Sequence, residues 1–283
     1  MTVRSGALGI LRRVCGTFTG ATGLAVVAIV LIAAVFAPWV ATANPDQLDV
    51  MNRFAAPSSA HWLGTDHLGR DVFARTVYGA RVSLFVGISV AAVSISIGLL
   101  IGLLSGYFRK VDAVVMRLMD GLMAIPAILL AIALVALTRA SVSTVIFAIT
   151  IPEIPRVVRL VRAVVLSVRE APYVEAAVAG GTPTWKILLR HIVPNTIAPL
   201  IVQATYICAS AILIEAALSF LGAGTPPEIP TWGNMIAQSR LFLSRAPWTI
   251  FAPGIALALV VLAVNLLGDG LRDRLDPRLA RRM

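Results

Sequence analysis

The chain has 283 residues, of which 58% are hydrophobic and only 13% are charged, and its mean hydropathy is +0.89. An ordinary soluble domain carries about 25% charged residues, so this chain has too few to cover a globule of its size with polar surface. Its 24 basic residues outnumber its 14 acidic ones, but they lie in clusters between long apolar runs, which excludes a nucleic-acid-binding surface and indicates topology signals.

Six apolar runs are long enough to cross about 30 Å of hydrocarbon as helices. In chain order they are residues 19–40, 82–107, 113–137, 141–163, 196–221 and 248–268. The sequence therefore predicts an all-α integral membrane protein with about six transmembrane helices. The first run could instead be a cleaved signal, because Ala41-Thr42-Ala43 resembles a cleavage site. Its apolar stretch is longer than the roughly 7 to 15 residues of a signal core, which favours a retained helix.

The basic residues predict how these spans are oriented. Six spans place both termini on one side, and that side would hold 17 Lys and Arg residues against seven on the other. Both termini are therefore expected in the cytoplasm. The resulting segments are a cytoplasmic N-terminal segment (1–18), a first transmembrane helix (19–40), an extracytoplasmic segment (41–81), a transmembrane core (82–270) with a cytoplasmic loop at 164–195, and a cytoplasmic tail (271–283).

Several classes of chemical site find little support. Neither Lys110 nor Lys186 follows a glycine, so the phosphate loop of ATP-binding proteins is absent. His61, Asp66 and His67 fall on one external loop, but three candidate ligands are weak evidence without a fourth, and no metal site is expected. No H-E-x-x-H motif and no nucleophile with an identifiable base point to an intramembrane enzyme.

Two carboxylates, Glu153 and Glu215, fall within predicted spans. An intramembrane carboxylate is costly, which makes each a candidate for a pathway or gating residue. The alternative is a carboxylate paired with an arginine, such as Arg156 for Glu153, or one close to the membrane surface. On the second span, Ser94, Gly98, Gly102 and Gly106 recur every fourth residue and predict close helix packing, within the chain or against a partner.

The cytoplasmic loop contains EAPYVEAAVAGGTPTWKILLRHIVPN at residues 170–195. Pro172 can occupy the first turn of a helix that continues to Gly180-Gly181, where the chain can turn without a Cβ clash. A second short helix is expected to follow, and Pro194 should end it before the fifth span. The sequence predicts a helix, turn, helix unit whose small side chains allow close approach by a partner.

This segment resembles the "EAA" loop of bacterial ABC importer permeases. The matching positions are Glu175, Ala176, Ala177, Gly181 and Pro194. Two positions depart from the general pattern, with His191 where isoleucine is usual and Val193 where leucine is usual. A histidine followed by I-x-P-N is similar to the peptide and nickel branch of these permeases.

Two further stretches resemble the dipeptide/oligopeptide "C-type" permeases of that branch. One is the external motif L-G-T-D-x-x-G-R-D-V, present here as Leu63, Gly64, Thr65, Asp66, Gly69, Arg70, Asp71 and Val72. The other is Glu215–Met235, and the RLDPRL tail at Arg274–Leu279 adds to it. The resemblance covers the chain from about residue 61 onward.

The resemblance implies a permease subunit with the type I ABC importer fold in a bacterial inner membrane. The chain would pair with a second, homologous permease, sit on two ATP-binding subunits and receive substrate from an extracytoplasmic binding protein. It would bind no cofactor itself, since ATP and Mg²⁺ belong to the partner subunits, and it would not be an enzyme.

The same resemblance suggests roles for single residues and for the cargo. Glu175 and Gly181 would be the hinge and contact of the ATPase-coupling segment, with Ala176 and Ala177 packing at the ATPase cleft and His191 and Pro194 completing the motif. Short peptides are the expected cargo, and nickel or another small solute is the alternative. An autonomous transporter is less well supported, because inverted repeats common in that class are not visible here.

Overall fold

The structure is a computed structural model that describes residues 18–275. Eleven α-helices are present within that range: α1 (Phe18–Val35), α2 (Ala37–Val40), α3 (Val72–Tyr107), α4 (Arg109–Ala124), α5 (Ala127–Ala136), α6 (Val142–Arg169), α7 (Pro172–Ala179), α8 (Thr184–Ile187), α9 (Val193–Phe220), α10 (Trp232–Ser239) and α11 (Trp248–Leu275). Residues 18–275 contain no β-strand, which confirms the all-α prediction. The predicted N-terminal segment up to residue 17, and 276–283 of the predicted tail, lie outside the described residues.

Four helical segments are long and apolar enough to cross a membrane: Phe18–Val35, Val72–Tyr107, Thr184–Phe220 and Trp248–Arg274. The pair α4 and α5 would be a fifth span if it is taken as one broken helix. Helix α6, predicted as a span, has too many charged residues to count with these four, because Glu153, Arg156 and Arg159 all fall within its first 18 residues. The described residues thus contain four or five spans by length and composition, against about six predicted.

The third predicted span, 113–137, is wrong as a single helix. Helices α4 and α5 meet at an angle of 87°, and the break falls at Ile125, whose backbone is extended. The residue before a proline is driven out of the helical region by the proline ring, and Pro126 follows Ile125 directly. Helix α4 therefore takes its own direction, and it is held to α6 by the ion pair between Asp112 and Arg162, with Oδ2 and Nη2 2.7 Å apart.

The second predicted span begins ten residues earlier than the sequence suggested, at Val72 rather than at residue 82. The Asp71 carboxylate accepts a hydrogen bond from Ala74 N at 2.7 Å and caps the helix, which satisfies one of its free amide groups. With 36 residues and a rise of about 1.5 Å per residue, α3 is roughly 54 Å long, well beyond the hydrocarbon thickness. The extra turns continue directly from residues 63–72, called the extracytoplasmic motif for its expected location.

The small-residue ridge of α3 packs within the chain, against α6. A Cβ added at Gly98, Gly102 or Gly106 would lie 2.5 to 2.7 Å from a side chain of α6, namely Val157, Val161 or Val165 respectively. Helix α6 runs unbroken through Pro152 and Pro155. The predicted close packing of this ridge is confirmed. It is made within the chain, which was one of the two predicted alternatives.

The remaining long helices complete the core around this pair. Helix α9 contacts α3, α6 and α11, while α1 packs against α11 and α3. One cluster of buried apolar residues joins α3, α5, α6 and α9 and reaches into the α7–α8 segment through Val174 and Ile187. A second cluster joins α1, α3, α9 and α11 around the buried indole of Trp232. The first cluster therefore connects the α7–α8 segment to the long helices through buried apolar contacts.

Candidate functional sites

The EAA residues lie on an exposed hairpin formed by α7 and α8. Helix α7 starts at Pro172, as predicted, and anchors to the core through Val174, which is 1% exposed. Glu175 and Ala176, in contrast, face outward. Gly181 follows with a φ of +74°, and no described atom lies within 4 Å of the position that a Cβ would take. The turn needs glycine for its backbone conformation rather than for space.

The second half of the hairpin differs from the prediction at Pro194, which does not end a helix. Residues Leu188–Ile192 form a π-helical turn that leads directly into α9, and Val193 N donates to Leu188 O, five residues earlier. Proline is tolerated in the first turn of a helix because the missing N–H has no intrahelical partner there. A widened π turn ahead of it lets α8 and α9 continue as one segment.

His191 and Pro194 both lie at this junction. The His191 ring is 6.1 Å from the ring of Tyr173 on α7. Asn195 Nδ2 donates to the Tyr173 hydroxyl at 3.3 Å and to the His191 carbonyl at 2.6 Å. These contacts hold the start of α7 against the base of α9. Tyr173 and Asn195 were not singled out from the sequence, since they lie 22 residues apart along the chain.

The extracytoplasmic motif folds into a compact turn organised by Asp66. Its Oδ1 accepts from Leu68 N at 2.8 Å and from Arg70 N at 3.0 Å, and its Oδ2 accepts from Arg70 Nε at 2.7 Å. Gly64 and Gly69 have φ values of +71° and +78°, which glycine adopts without strain. These bonds give the motif a turn-rich structure in which Asp66 accepts from backbone amides and from Arg70.

The other motif residues hold this turn to α3 and to the preceding loop. Thr65 is completely buried and donates its hydroxyl to Asn52 O, while it accepts from Ala55 N at 2.8 Å. Asp71 caps α3 with one carboxylate oxygen and contacts His61 Nδ1 at 2.9 Å with the other. His61 and Asp66 are thus engaged with protein partners in this structure.

Long-range contacts hold the motif against α10 and α11. Arg70 Nη2 donates to Gln238 Oε1 at 2.8 Å, and Trp248 Nε1 donates to Thr65 O at 3.1 Å. Gln238 and Trp248 lie more than 160 residues further along the chain, and no pattern in the sequence identified them. His67 stacks on Phe242 with ring centroids 5.4 Å apart, and burial lowers the pKa of the His67 imidazole below its usual value of 6.5.

Glu153 pairs with Arg156 one turn further along α6. The glutamate is 1% exposed, and Arg156 Nη1 lies 3.1 and 3.2 Å from its two carboxylate oxygens. The arginine side chain itself is half exposed. This geometry matches the alternative of an arginine-paired carboxylate. A gating role for the pair stays a prediction.

Glu215 is completely buried near the end of α9. Its Oε1 accepts hydrogen bonds from the hydroxyls of Ser219, at 2.9 Å, and Thr231, at 3.0 Å, while Oε2 has no hydrogen-bond partner in the part of the chain that the structure describes. Thr231 also caps α10 by accepting from Asn234 N. The carboxyl group therefore fastens the loop between α9 and α10 to α9.

The α7–α8 hairpin, called the coupling hairpin for the role expected of its motif, and the extracytoplasmic motif lie at opposite ends of the same helix pair. Asp71 of the motif caps the start of α3. At the other end, Arg169 Nη1 at the end of α6 donates to Gly106 O near the end of α3, at 3.2 Å, and α7 follows three residues later. Since α3 is roughly 54 Å long, the two sites are separated by more than the thickness of the bilayer core.

Comparison with known proteins gives matches over nearly the whole chain. The family model described as "Binding-protein-dependent transport system inner membrane component" matches residues 94–281. A second, described as "N-terminal TM domain of oligopeptide transport permease C", matches residues 19–57. These two ranges include the coupling hairpin and the first predicted span.

Individual relatives extend these matches across the extracytoplasmic motif. A probable peptide ABC transporter permease protein of Sinorhizobium fredii is 57% identical over 239 residues, covering 84% of this chain and 82% of that protein. The dipeptide transport system permease protein of Alkalihalophilus pseudofirmus is 44% identical over 258 residues, covering 91% and 85%. Among solved structures, a chain of the MetNI methionine ABC transporter has a TM-score of 0.48 and 19% identity, covering 68% of this chain and 94% of that one.

Proposed function

The chain belongs to the family of inner membrane components of binding-protein-dependent transport systems, and from this membership we propose that it is a permease subunit of an ATP-driven importer of short peptides. It is a multi-pass membrane protein of the inner membrane. Peptide cargo is supported by relatives whose names state peptide or dipeptide transport, at 40 to 57% identity. Nickel or another small solute is the alternative cargo.

The coupling hairpin is the observation that carries this proposal. An isolated permease has no ATPase of its own, so it needs an exposed surface through which a partner can move its helices. The α7–α8 hairpin presents Glu175, Ala176 and Gly181 outward while Val174 and Ile187 fix it to the core. Large apolar side chains on the same unit are also exposed, namely Tyr173, Val178, Trp185 and Leu189, each by 49 to 60%. Exposed apolar groups of this kind favour burial by a partner.

The proposed assembly follows from that surface. Two ATP-binding subunits, which would hold ATP and Mg²⁺, press on the coupling hairpins of this chain and of a second, homologous permease. An extracytoplasmic binding protein delivers the substrate to the opposite face. The excess of basic residues on one side supports cytoplasmic termini and a cytoplasmic hairpin. In this assembly the chain itself binds no cofactor and catalyses no reaction.

Glu153 and Glu215 act as gating residues in this proposal rather than as direct ligands of the cargo. Each side chain is at most 1% exposed. Glu153 is hydrogen-bonded to Arg156 on the next turn of α6, and Glu215 to Ser219 and Thr231. Glu215 fastens the loop ahead of α10 to α9, so a change in α9 would reach the extracytoplasmic face through that loop. The extracytoplasmic motif would then keep the start of α3, the end of α10 and the start of α11 together.

The test compares two glycines with the same backbone conformation. Gly181 and Gly222 have φ values of +74° and +81°, and at both positions the described residues leave open space around a Cβ. Gly181→Val and Gly222→Val should therefore impose similar backbone strain. We expect Gly181→Val to lose ATPase association, whereas Gly222→Val, which lies in the loop ahead of α10, keeps it whatever its effect on uptake. Equal co-purification of ATPase subunits with the two variants would overturn the coupling assignment.

A further inference from the structure

An apolar groove lies between α1, α3, α9 and α11, and its volume is about 420 Å³. All four helices belong to segments that are long and apolar enough to cross a membrane. Each helix contributes to the walls, which include Val27, Ile88, Ala92, Ala204, Val264 and Leu267. The groove is distinct from the coupling hairpin, from the extracytoplasmic motif and from the two buried glutamates.

The walls of the groove offer almost nothing to a polar ligand. Thr205 and Cys208 are the lining residues whose side chains carry a hydroxyl or a thiol. The Thr205 hydroxyl donates to Val202 O at 2.8 Å, within its own helix, and a thiol is only a weak donor. Water, an ion or a peptide group would therefore gain few hydrogen bonds here, whereas a hydrocarbon chain would lose none.

The groove lies at the depth of the lipid acyl chains. Its α9 residues fall between positions 201 and 208, about 12 to 22 Å along the helix from its start at Val193. Its α11 residues, Val264 and Leu267, lie in the half of α11 that ends on the side of the coupling hairpin. Ile88 on α3 is 51% exposed, so the groove is open to the surrounding bilayer along that helix.

The size of the groove favours one acyl chain over a helix of a partner. An α-helix with its side chains is about 10 to 12 Å across, so 420 Å³ corresponds to only about 4 Å of its length. An acyl chain is thin enough to lie inside the groove along its whole length. Lipid tails are as apolar as leucine side chains, and a filled groove regains the dispersion contacts that its walls would otherwise lack.

The end of α11 beside the groove carries charges of both signs. Arg272 follows the lining residue Leu267 by five positions, about 7.5 Å of helix, and it is exposed, as are Asp269 and Asp273. The Asp269 carboxylate accepts from the hydroxyl of Tyr206, which directly follows the lining residue Thr205. A headgroup with both a phosphate and an ammonium group complements this arrangement, the phosphate near Arg272 and the ammonium near the acids.

We propose that this groove binds one acyl chain of a zwitterionic phospholipid of the phosphatidylethanolamine type. The lipid belongs to the leaflet on the side of the coupling hairpin, with its phosphate at Arg272. The bound chain fills the space between α1 and α9 and stabilises the packing of α1, which otherwise rests on α11 and α3. This role is independent of the cargo and of coupling to an ATPase.

The test is native mass spectrometry of the full-length chain, purified in mild detergent. The protein is mixed with equal amounts of phosphatidylethanolamine and phosphatidylglycerol that have identical acyl chains, and the lipids that stay bound after the detergent is removed are counted. We expect one phosphatidylethanolamine per chain, in excess over phosphatidylglycerol. Retention of neither lipid, or equal retention of both, would overturn the proposal.

Two neighbouring positions on α3 give matched variants. Ala92 lines the groove and Val93 does not, and both side chains are exposed, so a phenylalanine at either position leaves the core intact. Ala92→Phe should fill the groove and lose the retained lipid, whereas Val93→Phe should retain it as the wild type does. Equal retention by the two variants would contradict the proposal. Loss of a co-purifying second permease from Ala92→Phe, without loss of lipid, would assign the groove to a partner helix instead.

A third variant tests the headgroup contact. Arg272→Gln removes the charge expected to hold the phosphate and lies at an exposed position, so the fold should be preserved. It should reduce the excess of phosphatidylethanolamine over phosphatidylglycerol. An unchanged excess in this variant would refute the placement of the phosphate at Arg272.

Discussion

The contact between α3 and α6 gives a prediction whose size can be worked out from the structure. A methyl group at Gly98 would lie 2.5 Å from both Cβ and Cγ1 of Val157, whereas carbon atoms prefer about 3.5 to 4.0 Å. Gly98→Ala should therefore push the helices apart by roughly 1 Å. Overpacking of this kind costs about 1 to 3 kcal/mol, partly offset by the roughly 1 kcal/mol that alanine gains over glycine in a helix.

The control for this prediction is Gly121 on α4, where no described atom lies within 4 Å of an added Cβ. Gly121→Ala should gain stability by up to about 1 kcal/mol, so the two variants should differ by about 1 to 3 kcal/mol. The measurement is reversible unfolding of each purified variant in mixed micelles with increasing dodecyl sulfate. A second change, Val157→Ala, should restore part of the loss in the Gly98→Ala chain. If Gly98→Ala is as stable as Gly121→Ala, the helices do not pack as described.

Three further predictions concern other parts of the chain. Glu215→Leu should free the loop ahead of α10, lower the free energy of unfolding by about 1 to 3 kcal/mol because the Ser219 and Thr231 hydroxyls lose their acceptor, and reduce uptake. Glu215→Gln should retain a hydrogen-bond acceptor and most of the uptake. Equal loss of uptake in both variants would show that the charge, and not the hydrogen bonding, is needed. Because the folded chain holds His67 with a lowered pKa, the unfolded chain binds more protons, so thermal stability should fall as the pH drops below about 6.5, and His67→Gln should flatten that dependence. In a chain without its own cysteines, Ser58→Cys should react with an impermeant thiol reagent added outside the cell, and Ala179→Cys should not. Labelling of Ala179→Cys but not of Ser58→Cys would contradict the cytoplasmic location of the termini.

The sequence predicted those features that depend on short-range patterns. The start of α7 at Pro172, the glycine turn that follows it and the ridge of α3 each depend on residues a few positions apart, and each was predicted correctly. The comparisons also confirm the predicted membership among ABC importer permeases of the peptide branch. Local propensity and motif spacing are sufficient for such features because the relevant contacts are made within one or two turns.

The features that the sequence did not predict depend on geometry or on distant partners. An exception is the span 113–137, which was predicted from hydropathy alone although Pro126 is a local signal for the bend at Ile125. Pro194 was expected to end a helix, but the preceding π turn changes which amide groups need a partner. The contacts of Arg70 with Gln238, and of Glu215 with Thr231, join residues whose pairing no local pattern encodes.

The packing of the core suggests how a movement at the coupling hairpin would reach the extracytoplasmic side. Helix α6 leads into α7 within three residues, and its valines fill the grooves left by the α3 glycines. Interfaces packed this closely resist sliding, because any displacement brings atoms into overlap. The α3–α6 pair is therefore expected to move as one body, further tied at its end by Arg169. Since Asp71 caps the far end of α3, the motif that holds α10 and α11 would move with that body, and a hinge is expected outside it, at the 87° bend between α4 and α5.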